Sequence, residues 1–405
     1  MIIPELFFLL LPVAAASGWY LARRKGYKPQ DSSLPCIYEP DYYKGINFLL
    51  NEQPDKAIDV FIHLLEVDSE TVETHLALGS LFRKRGEVDR AIRIHQNLIA
   101  RPTLGQEQRA NALLELGMDY MSAGLYDRAE NLFTELFETG KLQKKALENL
   151  KEIYQQEKVW DKCLQVVKQL ENYTHKSYSE EIAHYYCEMA DIAKKSGDIQ
   201  KAENLIRTAK QSKADSVRAL MMEAEFSIKH ENYQQALKTY QQIFEKDRLF
   251  ISEILQQMII CYKQVKNQKE LLPFLNDLYD KTQDAAVLDE IIEYINFTDG
   301  SSAAIDYLVL RLEKHPSLKG LRQLVSLQTS LSITQDSPNP KENERILLLF
   351  KDTIDSVLSS GHAYGCYHCG FAAKTLHWQC PGCRSWGTIK PSRDIDKANA
   401  LSVSS

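Results

Sequence analysis

No glycine-rich phosphate loop, nucleophile motif or paired-carboxylate constellation occurs in this sequence. Nothing in it points to catalysis. An excess of one charge sign is lacking too. Lys and Arg number 49 against 55 Asp and Glu, and the net charge of −6 is spread along the chain, which argues against a dedicated nucleic-acid binder. A disulfide framework is also missing. Of eight cysteines, four cluster near the C-terminus and four are scattered, the distribution of metal ligands plus buried thiols in a reducing compartment. What is present is a chain of 405 residues with ordinary apolar content and many helix formers. That is too long for one core, so two or three domains or an extended helical array are expected.

The N-terminus carries an uncharged, largely apolar run from Leu6 to Ala22, broken only by Pro12, Ser17 and Gly18. As a helix it would span roughly 25 Å, the short end of what crosses a bilayer. Trp19 and Tyr20 sit where an interfacial aromatic anchor belongs, and Arg23, Arg24, Lys25 and Lys28 follow at once. A secretory signal would place its positive charge before the apolar run, where only Glu5 stands. The charge asymmetry therefore predicts an anchor with the rest of the chain in the cytoplasm. Residues 26–40, with three prolines and Cys36, read as a tether.

Thr74 to Ala100 reads as two short helices broken at Arg85-Gly86-Glu87, with Asp89 placed to cap the second. Neither helix can bury its apolar face alone. A small residue early in the second helix recurs as Ala57, Ala91, Ala129, Cys163, Ala202, Ala236, Glu270 and Ala304, the copies at 163 and 270 being degenerate and 270 resting on phase alone. The separations are 34, 38, 34, 39, 34, 34 and 34 residues. This is the tetratricopeptide period. Twelve residues earlier stand Gly45, Gly79, Gly117, Ala190 and Ala224. Four residues later stand Phe61, Phe133, Val167, Ile206, Tyr240, Phe274 and Leu308, with His95 the exception. Small residues let paired helices approach, and the large one fills the gap to the next repeat. Asp55, Asp89, Asp127 and Asp161, two residues before the small residue, are expected N-caps. Cys163, Cys187 and Cys261 read as small core residues and the array histidines, His184 among them, as packing or surface groups. The stretch from Thr329 to Asn343 reads as a linker or long turn, and Ile346–Leu358 as an amphipathic capping helix.

The most specific chemical signal is C-terminal. Cys366-Tyr-His-Cys369 and Cys380-Pro-Gly-Cys383 are two knuckles separated by ten residues. Each brings two thiolates to one side of a tight turn, and together they complete a tetrahedral S₄ site that accepts iron or zinc. His362, His368 and His377 are nearby but unneeded. Trp378, Trp386 and Phe371 are too large to bury together in so small a segment, so at least one is expected to pack on the repeats, nearest the surface joined to Ile346–Leu358.

The N-terminal LFFLLLPVAAASGWYLARR, the blocks LFRKRGEVDRAIRIHQNL and AGLYDRAENLF, and the terminal CGFAAKTLHWQCPGCRSWGTIKP resemble, in this order and over nearly the full length, the lipopolysaccharide assembly protein B (LapB/YciM) family of Gram-negative bacteria. The resemblance implies an all-α fold: a tetratricopeptide-repeat superhelical solenoid with an N-terminal transmembrane helix and a small C-terminal rubredoxin-type Cys₄ module. The expected boundaries are an anchor at 1–22, a tether at 23–40, the array at 41–330, a linker and capping helix at 331–363, the metal module at 364–392 and a tail at 393–405. Cys366, Cys369, Cys380 and Cys383 fall on the family's metal positions, with iron expected and zinc as the alternative. The implied role is that of a non-enzymatic inner-membrane scaffold that restrains lipopolysaccharide synthesis by promoting proteolysis of the deacetylase LpxC by the membrane protease FtsH. A PbgA/YejM-type membrane regulator would oppose it, and a homodimer stays open. Arg384, where electron-transfer rubredoxins place glycine, and the short insert between knuckles argue against a redox role. Competing readings are a rubredoxin-like electron carrier, a general membrane-tethered adaptor, and a zinc ribbon binding nucleic acid through Lys374, Arg384, Lys390 and Arg393, which Asp394 and Asp396 dilute.

Overall fold

The computed structural model describes residues 16–17, 19–20, 40–51, 53, 56–57, 60, 72–102, 104–266, 270–332, 340–359 and 362–392. Most of the expected anchor, the tether with Cys36, Phe61, the turn at 333–339 and the tail at 393–405 lie outside them. Among the described residues no helix is long and apolar enough to cross a membrane. The chain is an all-α tetratricopeptide solenoid with a C-terminal cysteine cluster, and its contacts divide it into two units, 1–142 and 143–405.

The first unit holds α1 (Pro40–Leu50), α2 (Val72–Lys84), α3 (Val88–Ile99), α4 (Gln106–Ser122) and α5 (Tyr126–Glu138). The second begins with α6 (Gln143–Gln156), α7 (Trp160–Thr174), α8 (Ser179–Lys195), α9 (Ile199–Ser212), α10 (Val217–Lys229) and α11 (Tyr233–Lys246). After a 3₁₀ turn at Arg248–Phe250 come α12 (Ile251–Val265), α13 (Leu271–Thr282), α14 (Ala285–Thr298), α15 (Ser301–Lys314), α16 (Leu318–Ser332) and α17 (Pro340–Ser359). Three short strands follow: β1 (Tyr364–Cys366), β2 (Ala372–Ala373) and β3 (Ile389–Pro391). Residues 329–332 still belong to α16 and 340–343 already to α17, so the linker is shorter than its composition suggests, and the capping helix starts six residues before Ile346.

The repeat sterics are visible at atomic level. Ala57, Ala91, Ala129, Cys163, Ala202, Ala236 and Ala304 are all 0 % exposed. Glu270 is not. It is the exposed N-cap of α13, and the buried positions there are Leu271 and Leu275, one residue later. Spacing alone could not reveal that slip, because a one-residue shift still leaves Phe274 half-buried. Five residues before the small residue the backbone turns left-handed at Gly86, Gly124 and Gly197, and also at Lys158 and Glu231. The turn is thus imposed by the packing of the helix pair even where a side chain must tolerate positive φ. Asp89, Asp127 and Asp161 are not N-caps. They lie inside the first turns of α3, α5 and α7, where a carboxylate favours the helix dipole. Side-chain caps come instead from Asp198 to the Lys201 N–H and from Asn232 to the Gln235 N–H.

His95 occupies the large-residue slot for a definable reason. A Cβ at Gly117 would meet the Phe133 ring at 2.6 Å, and a Cβ at Gly79 would meet the His95 ring at 2.4 Å. The two rings fill equivalent sites. His95 Nδ1 lies 2.5 Å from the fully buried Asp119, which also takes a 2.6 Å hydrogen bond from Arg83. Arg83 further donates to Glu115 at 2.6 Å, and Ser80 does so at 2.8 Å. Burial pushes the Glu115 carboxyl up, but these donors win and hold it below its usual range. A buried carboxylate is tolerated because it is shared between a guanidinium and an imidazole.

Candidate metal centre

The two knuckles are near copies of each other. The N–H groups of Gly370 and Arg384 donate to the carbonyls of Cys366 and Cys380 at 2.9 and 2.8 Å, closing each turn. The Cys366 N–H donates to Phe371 O and the Cys380 N–H to Ser385 O, again at 2.8 and 2.9 Å. The residue after each second cysteine is left-handed, Gly370 at φ +75° and Arg384 at φ +58°. The strands frame the first knuckle in a sheet of order β2-β1-β3, antiparallel throughout, with Cys366 opposite Ile389.

This brings Cys366, Cys369, Cys380 and Cys383 together with all four sulfurs within 4.8 Å of one another. Sγ–Sγ separations are 3.6 Å for Cys369–Cys380 and 3.8 Å for Cys366–Cys383. A tetrahedron with metal–sulfur bonds of about 2.3 Å has sulfur edges of about 3.8 Å, whereas a disulfide needs about 2 Å. The donor set therefore fits a Cys₄ metal ion. The protonation pattern agrees. Hydrogen bonds from the Ser385 hydroxyl and N–H push Cys383 down to about 5. Burial opposes it, but contacts from Thr388 and the N–H groups of Cys369 and His368 hold Cys366 below the ordinary thiol value. The Phe371 N–H pulls Cys369 down, yet desolvation and the neighbouring sulfurs drive it up to about 12. Four thiolates this close need a cation among them, and a bound metal supplies that charge. His362 and His377 stay outside this cluster, and His368 Nδ1 is 3.0 Å from Ser385 Oγ.

The module does not stand free. Trp386, 8 % exposed, stacks on His184 of α8 with centroids 5.1 Å apart, and meets Trp160 and Tyr185 edge-on at 6.0 and 5.8 Å. Trp378 stacks on Phe250 at 6.0 Å under the Arg218 guanidinium, 5.8 Å away. Phe371 remains in the module's own small core with Cys366, Cys380 and Ile389. Polar contacts surround the two tryptophans. Tyr364 donates to Glu253 at 2.7 Å, Lys390 pairs with Asp247 at 2.6 Å, Gln379 donates to Gln155 at 3.3 Å, and Arg384 pairs with Glu152. Each aromatic pair adds about 0.5–1.5 kcal/mol beyond area burial, while exposed ion pairs add about 0–1. The tryptophans hold the module and the ion pairs orient it. The surface used belongs to α6, α7, α8, α10, the 3₁₀ turn with Asp247 before it, and the start of α12, not to the helices adjoining α17.

Sequence reasoning missed His184, Arg218 and Glu152 as docking residues. His184 carried no ligand spacing, and its partner lies two hundred residues away. Arg384 is explained by its contact: it accepts a left-handed backbone that glycine would take freely, and reaches Glu152 from it. Gly387, at φ +64°, lies so close that a Cβ there would be 3.2 Å from His184 Nε2. Cys163, Cys187 and Cys261 are buried apart from the site, and burial pushes the first two thiols up to about 12, as befits packing groups.

Two outcomes follow from this interface. Arg384→Gly should relieve about 1 kcal/mol of backbone strain, raising metal retention against a chelator roughly fivefold, yet expose tryptophan by loss of the Glu152 pair. Arg384→Ala keeps the strained backbone, so it should lose the Glu152 pair without the gain in metal retention, and identical behaviour of the two variants would remove strain from the account. The second concerns pH. Burial between the tryptophans lowers the pKa of His184, with Arg218 adding to the effect and Glu180, 3.6 Å from Nε2, opposing it. Docking thus favours the neutral ring. Its contribution is complete above the undocked histidine value of about 6.5 and is lost as pH falls below it. Tryptophan emission should shift red on acidification in the wild type, and His184→Gln should flatten that profile.

Residues 364–391 match the family model described as rubredoxin metal binding domain, and residues 74–109 match tetratricopeptide repeat. Lipopolysaccharide assembly protein B of Escherichia coli strain K12 is 39% identical over 393 residues, covering 97% of this chain and 99% of that protein. The Haemophilus influenzae protein of the same name is 34% identical, covering 96% and 98%. Among solved structures, the C-terminal part of a TPR repeat-containing protein from Cytophaga hutchinsonii is 12% identical with a TM-score of 0.38, covering 65% of this chain and 98% of that one. With its repeats, its Cys₄ module and relatives matched end to end, the chain belongs to the lipopolysaccharide assembly protein B family.

Proposed function

We propose that this chain is a scaffold anchored in the inner membrane, facing the cytoplasm, that restrains lipopolysaccharide synthesis by presenting the deacetylase LpxC to the membrane protease FtsH. Membership of the family supports a part in lipopolysaccharide assembly. The observation that carries the scaffold reading is the seating of Trp378 and Trp386 on the repeats. It fixes a rigid module beside the helices of the array, so two partners can meet one composite surface. The anchor reading rests on the apolar run Leu6–Ala22 and the basic cluster after it. A PbgA/YejM-type regulator would act at the same membrane. In the Cys₄ site we favour iron, with zinc as the substitute, since an S₄ thiolate set accepts both. Its role is to hold the fold of the module. Arg384 pairs with Glu152, which ties the second knuckle to the array.

Removing residues 1–22 tests this reading. The truncated chain should move to the soluble fraction with its helicity intact, and LpxC should persist longer in cells because the scaffold no longer concentrates near a membrane protease. Normal LpxC turnover with a soluble chain at normal abundance would sink the proposal.

A further inference from the structure

One turn beyond the metal module, the array opens a second surface. On α12 the face that meets Tyr364 through Glu253 continues, at helical spacing, through Gln256, Ile260 and Lys263. Between this face and α14 lies a groove of ≈ 820 Å³ floored by Ile259, Leu271 and Leu275, each nearly fully buried. Its lips carry Ile260, 43 % exposed, and Phe297, 83 % exposed. Large apolar side chains standing in water around an apolar floor mark a surface that gains by being covered. The volume lies in the range of ligand sites rather than of packing defects.

The charge around the groove selects the occupant. Glu290 and Glu293 stand one turn apart on α14, and Lys263 is the cation among the lining residues. Burial raises the Glu290 carboxyl above its usual value, and the neighbouring Glu293 charge raises it further. The Gln256 hydrogen bond and the Lys263 charge pull the Glu290 carboxyl down, but burial and Glu293 outweigh them. An incoming cation would relieve this pair, while an anionic segment would add to it.

We propose that the groove between α12 and α14 binds a peptide segment of a partner protein that combines aliphatic or aromatic side chains with lysine or arginine. The apolar side chains cover Ile260 and Phe297, and the cation lies against Glu290 and Glu293. The groove and the docked module share α12, with Gln256 of the groove about one helical turn from the Glu253 that Tyr364 meets. This inference stands independently of the proteolysis reading.

The test uses the full-length protein with labelled helical peptides of leucine and lysine, followed by fluorescence anisotropy at low and moderate salt. A leucine–glutamate series is the charge-reversed probe. The wild type should bind the leucine–lysine probe saturably and the leucine–glutamate probe at least tenfold more weakly. Glu290→Lys with Glu293→Lys should invert that preference. Reversal at Glu107 and Glu138, exposed in the first unit, should leave it unchanged. Ile260→Ser with Phe297→Ser should weaken both probes, with circular dichroism showing retained helicity. No binding by the wild type, or equal binding by the reversed variant, overturns the proposal. So does a wild-type dimer that dissociates with the Ile260 and Phe297 changes, which would make the groove a self-association surface.

Discussion

Four cysteine sulfurs within 4.8 Å cannot all carry their charge unless a cation sits among them. The module around them is under thirty residues, with a core of little more than Cys366, Cys380 and Ile389. Burial on that scale does not fold a chain by itself. Two external supports are therefore required: a metal to close the knuckles, and an array to cover Trp378 and Trp386. They are linked, because Trp386 and Arg384 reach α8 and α6 from the turn that closes the second knuckle. The left-handed Arg384 shows the coupling in one residue. Its backbone serves the metal turn and its side chain serves the dock.

The array provides a rigid socket through a different constraint. Seven small residues with no exposed surface set the closeness of the helix pairs, and in the six repeats from Ala91 onward that carry one, a larger side chain four positions on is buried beside it. Where that side chain is His95, it packs beside a buried carboxylate, Asp119, that it shares with Arg83. Where the phase slips by one residue, at Leu271 and Leu275, the stack still closes. Beside this slip the groove between α12 and α14 opens. Close packing at α8 and α10 and an open surface farther along suit a molecule that holds its own module in place while leaving room for another chain.

Much of this could be read from the sequence. The repeat phase, the break at Gly86 and the four ligands follow from local rules, since spacing of three or four residues and a period near 34 leave direct marks in a chain. The register slip at Glu270 and the true role of Asp89, Asp127 and Asp161 were not legible, because a shift of one or two residues preserves the same composition. The docking partners were the hardest. That Trp378 and Trp386 needed cover could be inferred from their size, but His184, Arg218 and Glu152 become docking residues only when distant repeats align. The choice of surface is a property of the assembled stack, and no local pattern encodes it.

If metal and docking are one cooperative unit, losing the metal must be felt in the array. Hydrogen–deuterium exchange across the full chain, before and after metal removal by chelation, reads this directly. The account predicts faster exchange in residues 364–391 together with α8 and α10 around His184 and Arg218, while α2 to α5 stay unchanged. Faster exchange confined to the module, with α8 and α10 as protected as before, would contradict it.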